Sequence, residues 1–250
     1  MSDSTHTALL VGAAGGILRE VATGLARQGH SLILFDLDRP AVEELAADLS
    51  MYTKAEAVVG DVNDLAAAER QFTEIVERQP PAILVNGVGG DTRVIRYSDL
   101  TTEDFATSYL QNVISTFIAV KVCGPAMAAA GYGRIVNFAS AGGRTYSHFN
   151  NAAYVAAKAG VIGMTKQMAY ELAPTGVCVN VVAHGPIGTG RVSAAWERRD
   201  EAQKREVLSK LPMRRMGSVA EAVGSVLHLC SESAGYTTGA VIDINGGLYM

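Results

Sequence analysis

The residues best suited to chemistry are a tyrosine and a lysine four positions apart. Tyr154 and Lys158 lie in Tyr154-Val155-Ala156-Ala157-Lys158-Ala159-Gly160, an alanine-rich stretch that favours a helix. Residues at i and i+4 share one helix face. A phenol with an ordinary pKa of about 10 is a poor proton carrier near neutrality. An ammonium beside it favours the phenolate and brings the group into working range. The spacing is common on ordinary helix surfaces, so its meaning depends on what the fold brings to it. Ser140 follows a predicted strand, Arg134–Phe138, and precedes Tyr154 by 14 residues. A returning loop of that length sets its hydroxyl beside the phenol, where it would hold a substrate oxygen. Asn112 falls inside a long predicted helix, Thr102–Met127. An amide is a poor choice for a helix centre, and a buried one there would fix a water next to Lys158.

A second group of residues points to a dinucleotide. Gly12-Ala13-Ala14-Gly15-Gly16-Ile17 follows the first apolar run and precedes helical sequence. Glycines in that place allow a tight turn and let a pyrophosphate approach the N–H groups of a helix N-terminus. The next strand ends in Asp36, about 20 residues on, where a carboxylate accepts hydrogen bonds from ribose hydroxyls. A 2′-phosphate would meet that carboxylate as a like charge, and the glycine turn holds no basic residue, so the expected cofactor is NAD. Asp61-Val62 and Asn86-Gly87 follow the third and fourth strands, at the carboxyl ends where open α/β sheets bind ligands.

These residues need a scaffold that gathers strand ends. Apolar runs at Ala8–Val11, Ser31–Phe35, Ala55–Val59, Ala82–Val85, Arg134–Phe138, Val177–Val182 and Ala240–Ile244 alternate with stretches of helical period such as Ile17–Gln28, Arg39–Leu49 and Leu65–Arg78. The alternation predicts a single-domain, doubly wound α/β fold over residues 1–250, with a seven-stranded parallel sheet and helices on both faces. Residues 185–216 contain Pro186 and Pro212 and are expected to form a cover over the site. The 250 residues are 48% hydrophobic and 18% charged, with net charge −4. That balance gives no electrostatic ground for nucleic acid or an anionic membrane as partner. Met1–Thr7 has none of the features of a secretion signal, so a cytoplasmic protein is expected. The three cysteines form no metal-ligand or disulfide spacing, and no metal is expected.

Taken together, Gly12–Ile17, Asp61, Asn86–Gly89, Asn112, Ser140, Tyr154-x-x-x-Lys158, Gly185–Thr189 and Asn245-Gly246-Gly247 resemble the classical short-chain dehydrogenase/reductase family, from about Ala8 to Leu248. The resemblance implies a Rossmann fold in which Tyr154 is the acid/base, Ser140 orients the substrate oxygen, Lys158 binds nicotinamide ribose and tunes Tyr154, and Asn112 continues a proton relay. It also implies that Gly185, Ile187 and Thr189 meet the nicotinamide end, and that the protein is a homotetramer or homodimer. Four positions depart from the family pattern. Val11 replaces a threonine before the first glycine, and Leu18 replaces the third glycine, which crowds the helix start. Gly87-Val88 replaces Asn-Ala, and His184 replaces a proline.

Substrate specificity should come from loops after the central strands and from the cover. Arg144, Tyr146, His148, His184 and Arg191 are the candidates for contact with substrate, an arginine pairing with an anionic group. The main functional expectation is oxidation of a secondary alcohol or dihydrodiol with NAD. The alternative is reduction of 3-oxoacyl groups or other ketones with NAD(P)H, which uses the same residues. A cofactor-binding regulator without catalysis is the third reading, and the intact set Ser140, Tyr154, Lys158 and Asn112 argues against it.

Overall fold

A computed structural model describes residues 5–91 and 93–250, apart from the side chains of Arg191, Ala194 and Ala195. The strands are β1 (Thr7–Val11), β2 (Ser31–Asp36), β3 (Ala55–Val59), β4 (Ile83–Asn86), β5 (Gly133–Ser140), β6 (Val177–His184) and β7 (Val241–Ile244). They pair in parallel in the order β3-β2-β1-β4-β5-β6-β7. Strand side chains alternate between faces, and the alternation sorts the core into two layers. Ala8, Leu10, Leu32, Leu34, Ile83 and Val85 pack under α1 (Gly16–Arg27), α2 (Arg39–Leu49) and α9 (Val219–Cys230). Leu9, Val11, Ile33, Phe35 and Leu84 face α3 (Leu65–Arg78), α5 (Ser115–Ala130) and α6 (Ala152–Leu172). The expected doubly wound single domain is thus observed. Its order reverses between β1 and β4, and the cleft opens over the strand ends there, as such sheets require.

Two elements differ from expectation in ways that matter for the site. Strands β5 and β6 run on to Ser140 and His184, which are register partners. Both strands are central and nearly wholly buried, so the ladder carries these polar residues to the cleft floor. The long helix Thr102–Met127 is interrupted. It begins as α4 (Thr102–Tyr109), passes through a π-turn at Leu110–Ile114, and resumes as α5. The extra residue of a π-turn offsets the face on which Asn112 sits, and such turns concentrate at functional sites. The whole span Thr102–Ala130 is long and apolar enough to cross a membrane by length and composition, yet half of its most apolar window is buried in the domain. Ile118, Ala119, Val120, Cys123 and Met127 supply core contacts there, which accounts for the apolarity on that side.

After β6 the chain forms α7 (Gly190–Glu197) and α8 (Glu201–Ser209). This excursion is pinned at both ends, Ile187 pairing with Gly217 and Met213 N–H donating to the Gly246 carbonyl (3.1 Å).

Candidate active site

One cleft of about 840 Å³ runs across the carboxyl ends of the strands. At one end Gly12 turns with φ +83°, and the N–H groups of Gly12 and Ala13 both donate to the Phe35 carbonyl (2.8 and 3.1 Å). Helix α1 has Gly15 as its N-cap and no side-chain cap, like α5 and α7, whereas α2, α3, α4, α6, α8 and α9 each have one. Its first N–H groups therefore remain available to an anion in the cleft. Gly16 faces Thr189 so closely that a β-carbon would lie 3.0 Å from the threonine Cβ, and Gly12, Gly15, Gly16, Ile17, Asp61, Val62, Gly87, Gly185, Ile187 and Thr189 all line the cleft. Asp36 closes the adenosine side. Its Oδ2 accepts from Ala14 N–H (2.9 Å) and its Oδ1 from Asp38 N–H (3.0 Å). Asp61 Oδ1 is likewise engaged by the N–H and side-chain amide of Asn63 (both 2.8 Å).

At the other end Ser140, Tyr154, Lys158 and His184 line the same cleft. Lys158 is 3% exposed. Its Nζ donates to the Phe138 carbonyl (2.8 Å) and stands 5.7 Å from the Tyr154 ring centre. Ser140 Oγ accepts from Gly142 N–H (3.2 Å), which uses a lone pair and leaves the hydroxyl proton to donate. The turn after Ser140 reaches α6 through Gly143, where a β-carbon would meet the backbone C and O of Lys158 at 2.7 and 2.8 Å. His184 packs against the Phe138 ring (4.8 Å between centroids), and its Nε2 is buried with no hydrogen-bond partner. Burial first, and then the charge of Lys158, push its imidazole down to about 4, so the ring is neutral at pH 7. Asn112 lies behind the cleft. Its Nδ2 donates to the Ser108 carbonyl (2.8 Å), and its Oδ1 accepts from Gly90 N–H (3.3 Å). A β-carbon on Gly89 would overlap the Asn112 amide, at 2.8 Å from Cγ, and would stand 3.3 Å from Lys158 Nζ. The asparagine and the lysine thus face a common space that glycine leaves open.

Comparison with known proteins agrees with this geometry. A family model described as enoyl-(acyl carrier protein) reductase matches residues 12–249. Nodulation protein G of Azospirillum brasilense is 36% identical, over 98% of this chain and 98% of its own. The chain belongs to the classical short-chain dehydrogenase/reductase family. An acetoacetyl-CoA reductase of Acinetobacter sp. (strain RA3849) is 33% identical, over 97% of each chain. Among solved structures, a 3-oxoacyl-[acyl-carrier protein] reductase of Brucella melitensis with bound NAD has a TM-score of 0.88 at 28% identity, covering 100% of this chain and 93% of that one. YwfH, an NADPH-dependent reductase involved in bacilysin biosynthesis, has a TM-score of 0.91 at 25% identity, covering 98% and 99%. The chain is an oxidoreductase of a family built around a nicotinamide cofactor. Its uncapped α1, glycine turn and Asp36 are a chemically suitable set for a dinucleotide.

Measured against this short-chain dehydrogenase/reductase frame, several expected site residues lie elsewhere. Arg144 does not line the cleft; it pairs with Asp243 (3.1 Å) and stacks over the Tyr249 ring (4.7 Å). His148 is exposed outside the cleft, edge-on to Tyr146 and Phe149, whereas Tyr146 lines it. The Arg191 side chain lies outside the described residues. Asn86 turns its amide into the sheet, donating to Asn137 Oδ1 (2.9 Å), and Asn137 donates on to Thr165 (3.0 Å). That buried chain joins β4, β5 and α6 beneath the cleft. The crowding expected from Leu18 is absent because Gly87 makes room: a β-carbon there would lie 2.7 Å from Leu18 Cδ2. Two residues that spacing did not flag, Asp91 and Asn150, also line the cleft. Trp196, Arg199, Val207 and Met216 of the cover and its return line it as well.

Proposed function

We propose that this protein is a ketone reductase that transfers a hydride from NADH to the 3-keto group of an acyl thioester or a similar ketone. The observation that carries the reading is the set Ser140, Tyr154 and Lys158 lining one cleft together with Tyr146, Phe149, Val192, Trp196, Val207 and Leu248, in a chain matching an acetoacetyl-CoA reductase from end to end. The alcohol or dihydrodiol oxidation expected first from Asp36 has less support, since the reductases among the relatives act on keto groups by name. Ser140 donates its hydroxyl proton to the substrate oxygen and orients the carbonyl. A reduced nicotinamide, held by the glycine turn, Asp36, Ile187 and Thr189, would supply the hydride to the carbonyl carbon. Tyr154 gives its phenolic proton to the oxygen as charge develops there, and the ammonium of Lys158 stabilises the phenolate left behind. The Phe138 carbonyl holds that ammonium in place. Asn112 faces the space beside Lys158, where its amide would hold a water that carries a proton onward, and His184, neutral, contributes a polar face without a competing charge.

NADH is preferred on electrostatic grounds. Asp36 is followed by Leu37 and Asp38, and the next cation, Arg39, is paired with Glu43 (2.9 Å). Nothing in that run neutralises a 2′-phosphate. An apolar face on α4, α5 and α6, with Phe105, Tyr109, Phe117 and Tyr170 exposed, supports self-association as a dimer or tetramer, and the expected setting is the cytoplasm.

Steady-state rates with acetoacetyl-CoA, a ketone panel, secondary alcohols and dihydrodiols, each with both nicotinamides, test this reading. Expected is ketone reduction with NADH as the fastest reaction and its loss by at least about a hundredfold in Tyr154→Phe. Dihydrodiol oxidation outrunning ketone reduction at saturating substrate would reject it.

A further inference from the structure

A buried amide joins the segment after β4 to the start of α6, and the reaction chemistry makes no use of it. Asn151, 2% exposed, caps α6 by accepting from the Tyr154 N–H at Oδ1 (3.0 Å). Its Nδ2 reaches the other way and donates to Asp91 Oδ2 (2.8 Å) and to the Arg93 carbonyl (3.1 Å). The neighbouring Asn150 donates to the Asp91 carbonyl and is itself held by Ser147 (3.0 Å). From the far side, the Arg93 guanidinium binds Asp91 and, at 2.9 Å, Asp104 in the first turn of α4. Burial would raise the Asp91 carboxyl, but the bonds from Arg93 and Asn151 outweigh it and hold it below the usual carboxylate value. The acceptor therefore stays charged at neutral pH. Capping a helix requires one acceptor, which serine supplies as well as asparagine. The two donated bonds of Asn151 are surplus to that task, and both go to the loop that begins at the cleft-lining Gly90 and Asp91.

We propose that Asp91 and Asn151 are positioning residues for Tyr154, tying the backbone of the proton-carrying tyrosine to Asp91 and the Arg93 carbonyl so that its phenol keeps a fixed place against the substrate oxygen. The inference rests on the reading of Tyr154 as proton carrier. Its physical basis is that Tyr154 lies in the first turn of α6, the part of a helix that frays most readily. A displacement of about 1 Å at a reacting group costs on the order of a hundredfold in rate.

Three variants separate the tie from the cap. Asn151→Ser keeps a cap and removes both donors, Asp91→Ala removes the acceptor, and Asp91→Asn leaves an acceptor oxygen in place. Each is assayed with acetoacetyl-CoA and NADH, and hydrogen exchange over residues 152–158 is followed on the same samples. Expected in Asn151→Ser and Asp91→Ala is a fall in kcat of at least about tenfold with KM changed less than about threefold, together with faster exchange at Tyr154. Asp91→Asn should recover both. Unchanged kcat and exchange in the first two variants would overturn the proposal, as would losses that Asp91→Asn fails to recover. Exchange needs no substrate, so a wild-type protein that reduces no ketone refutes the functional reading separately. The tie is then judged on exchange alone, with the same three-variant pattern supporting it and unchanged exchange overturning it.

Discussion

Leu18 and Gly87 exchange bulk relative to the family pattern, and the exchange is measurable. The usual glycine in the turn and asparagine after the fourth strand are here a leucine and a glycine. A β-carbon on Gly87 would stand 2.7 Å from Leu18 Cδ2 and 3.0 Å from its Cγ, well inside the roughly 3.5–4.0 Å at which carbon atoms rest. Leu18 is 2% exposed among the core residues of α1, α2 and α9, so its methyls have no open space to enter. Gly87 does not need a left-handed backbone, and alanine there is otherwise permitted. Gly87→Ala should therefore cost about 1–3 kcal/mol by overpacking, offset by about 0.4–1 kcal/mol because alanine restricts the unfolded chain. In a Leu18→Ala background, itself about 2–5 kcal/mol less stable, the obstructing methyls are gone. Gly87→Ala should then be neutral or stabilising by up to about 1 kcal/mol. The coupling between the sites comes to about 2 kcal/mol, large for a double-mutant cycle of neighbours. Urea unfolding of the four proteins measures it, and thermal midpoints should follow at about 2–4 °C per kcal/mol in a chain of this size. An equal cost of Gly87→Ala in both backgrounds would refute the account of Gly87 as the space that admits Leu18.

Three further outcomes are expected. Because the His184 imidazole is depressed to about 4 from 6.5, the unfolded chain binds a proton between those values that the folded chain refuses. Its stability contribution is full above pH 6.5 and falls as pH drops toward 4. Wild type should lose about 2 kcal/mol more than His184→Gln between about pH 7 and about pH 5, and parallel urea curves would contradict this. Gly143→Ala places a β-carbon against the Lys158 backbone, which cannot swing aside as a side chain can, so kcat should fall on the order of a hundredfold; wild-type turnover would show the turn has slack. Phe117→Glu puts a charge at an exposed aromatic position of α5, and sedimentation should show the variant as a smaller species than wild type; a monomeric wild type would remove the proposal of self-association.

Much of the fold was legible because each strand is short, apolar and alternates with a helix of matching period. The two core layers follow from that alternation residue by residue, as Leu9 and Leu10 illustrate by facing opposite ways. That Ser140, Tyr154 and Lys158 would share one cleft was legible for a related reason: Tyr154 and Lys158 are local on one helix, and Ser140 precedes them by a short loop. Distant pairings were not. Arg144 read as a loop cation free for an anionic substrate, but its partner Asp243 comes from the last strand. Asn86 read as a strand-end cofactor ligand, yet its amide partner is 51 residues away. Nothing in the spacing marks Asp91 and Asn151, 60 residues apart, as a bridge. The π-turn at Asn112 left one trace, an amide in a helix centre, and that trace shows only that the position is unusual.

The proposed keto-thioester differs from a dihydrodiol in what it asks of the cleft. Besides the catalytic candidates the cleft is lined by Tyr146, Phe149, Val192, Trp196, Val207 and Leu248 and by the polar Asp91, Ser147 and Asn150, and among the described lining residues Arg199 and Lys158 are the cations. A dihydrodiol presents hydroxyl groups on its whole reacting edge, and each one buried without a partner costs about 1–3 kcal/mol. Ser140 and Tyr154 can satisfy one oxygen, and the polar lining side chains Ser147, Asn150 and Asp91 are already engaged with one another or with Arg93 and Asn151. A 3-oxoacyl thioester brings one carbonyl to that pair and lays its hydrocarbon on the aromatic surface, gaining roughly 25 cal/mol for each Å² of apolar area removed from water. The sequence pointed first to alcohol oxidation through the cofactor inferred from Asp36. Asp36 speaks to the cofactor and is silent about the substrate, and the residues that discriminate substrates come from separate loops that meet only in the folded chain.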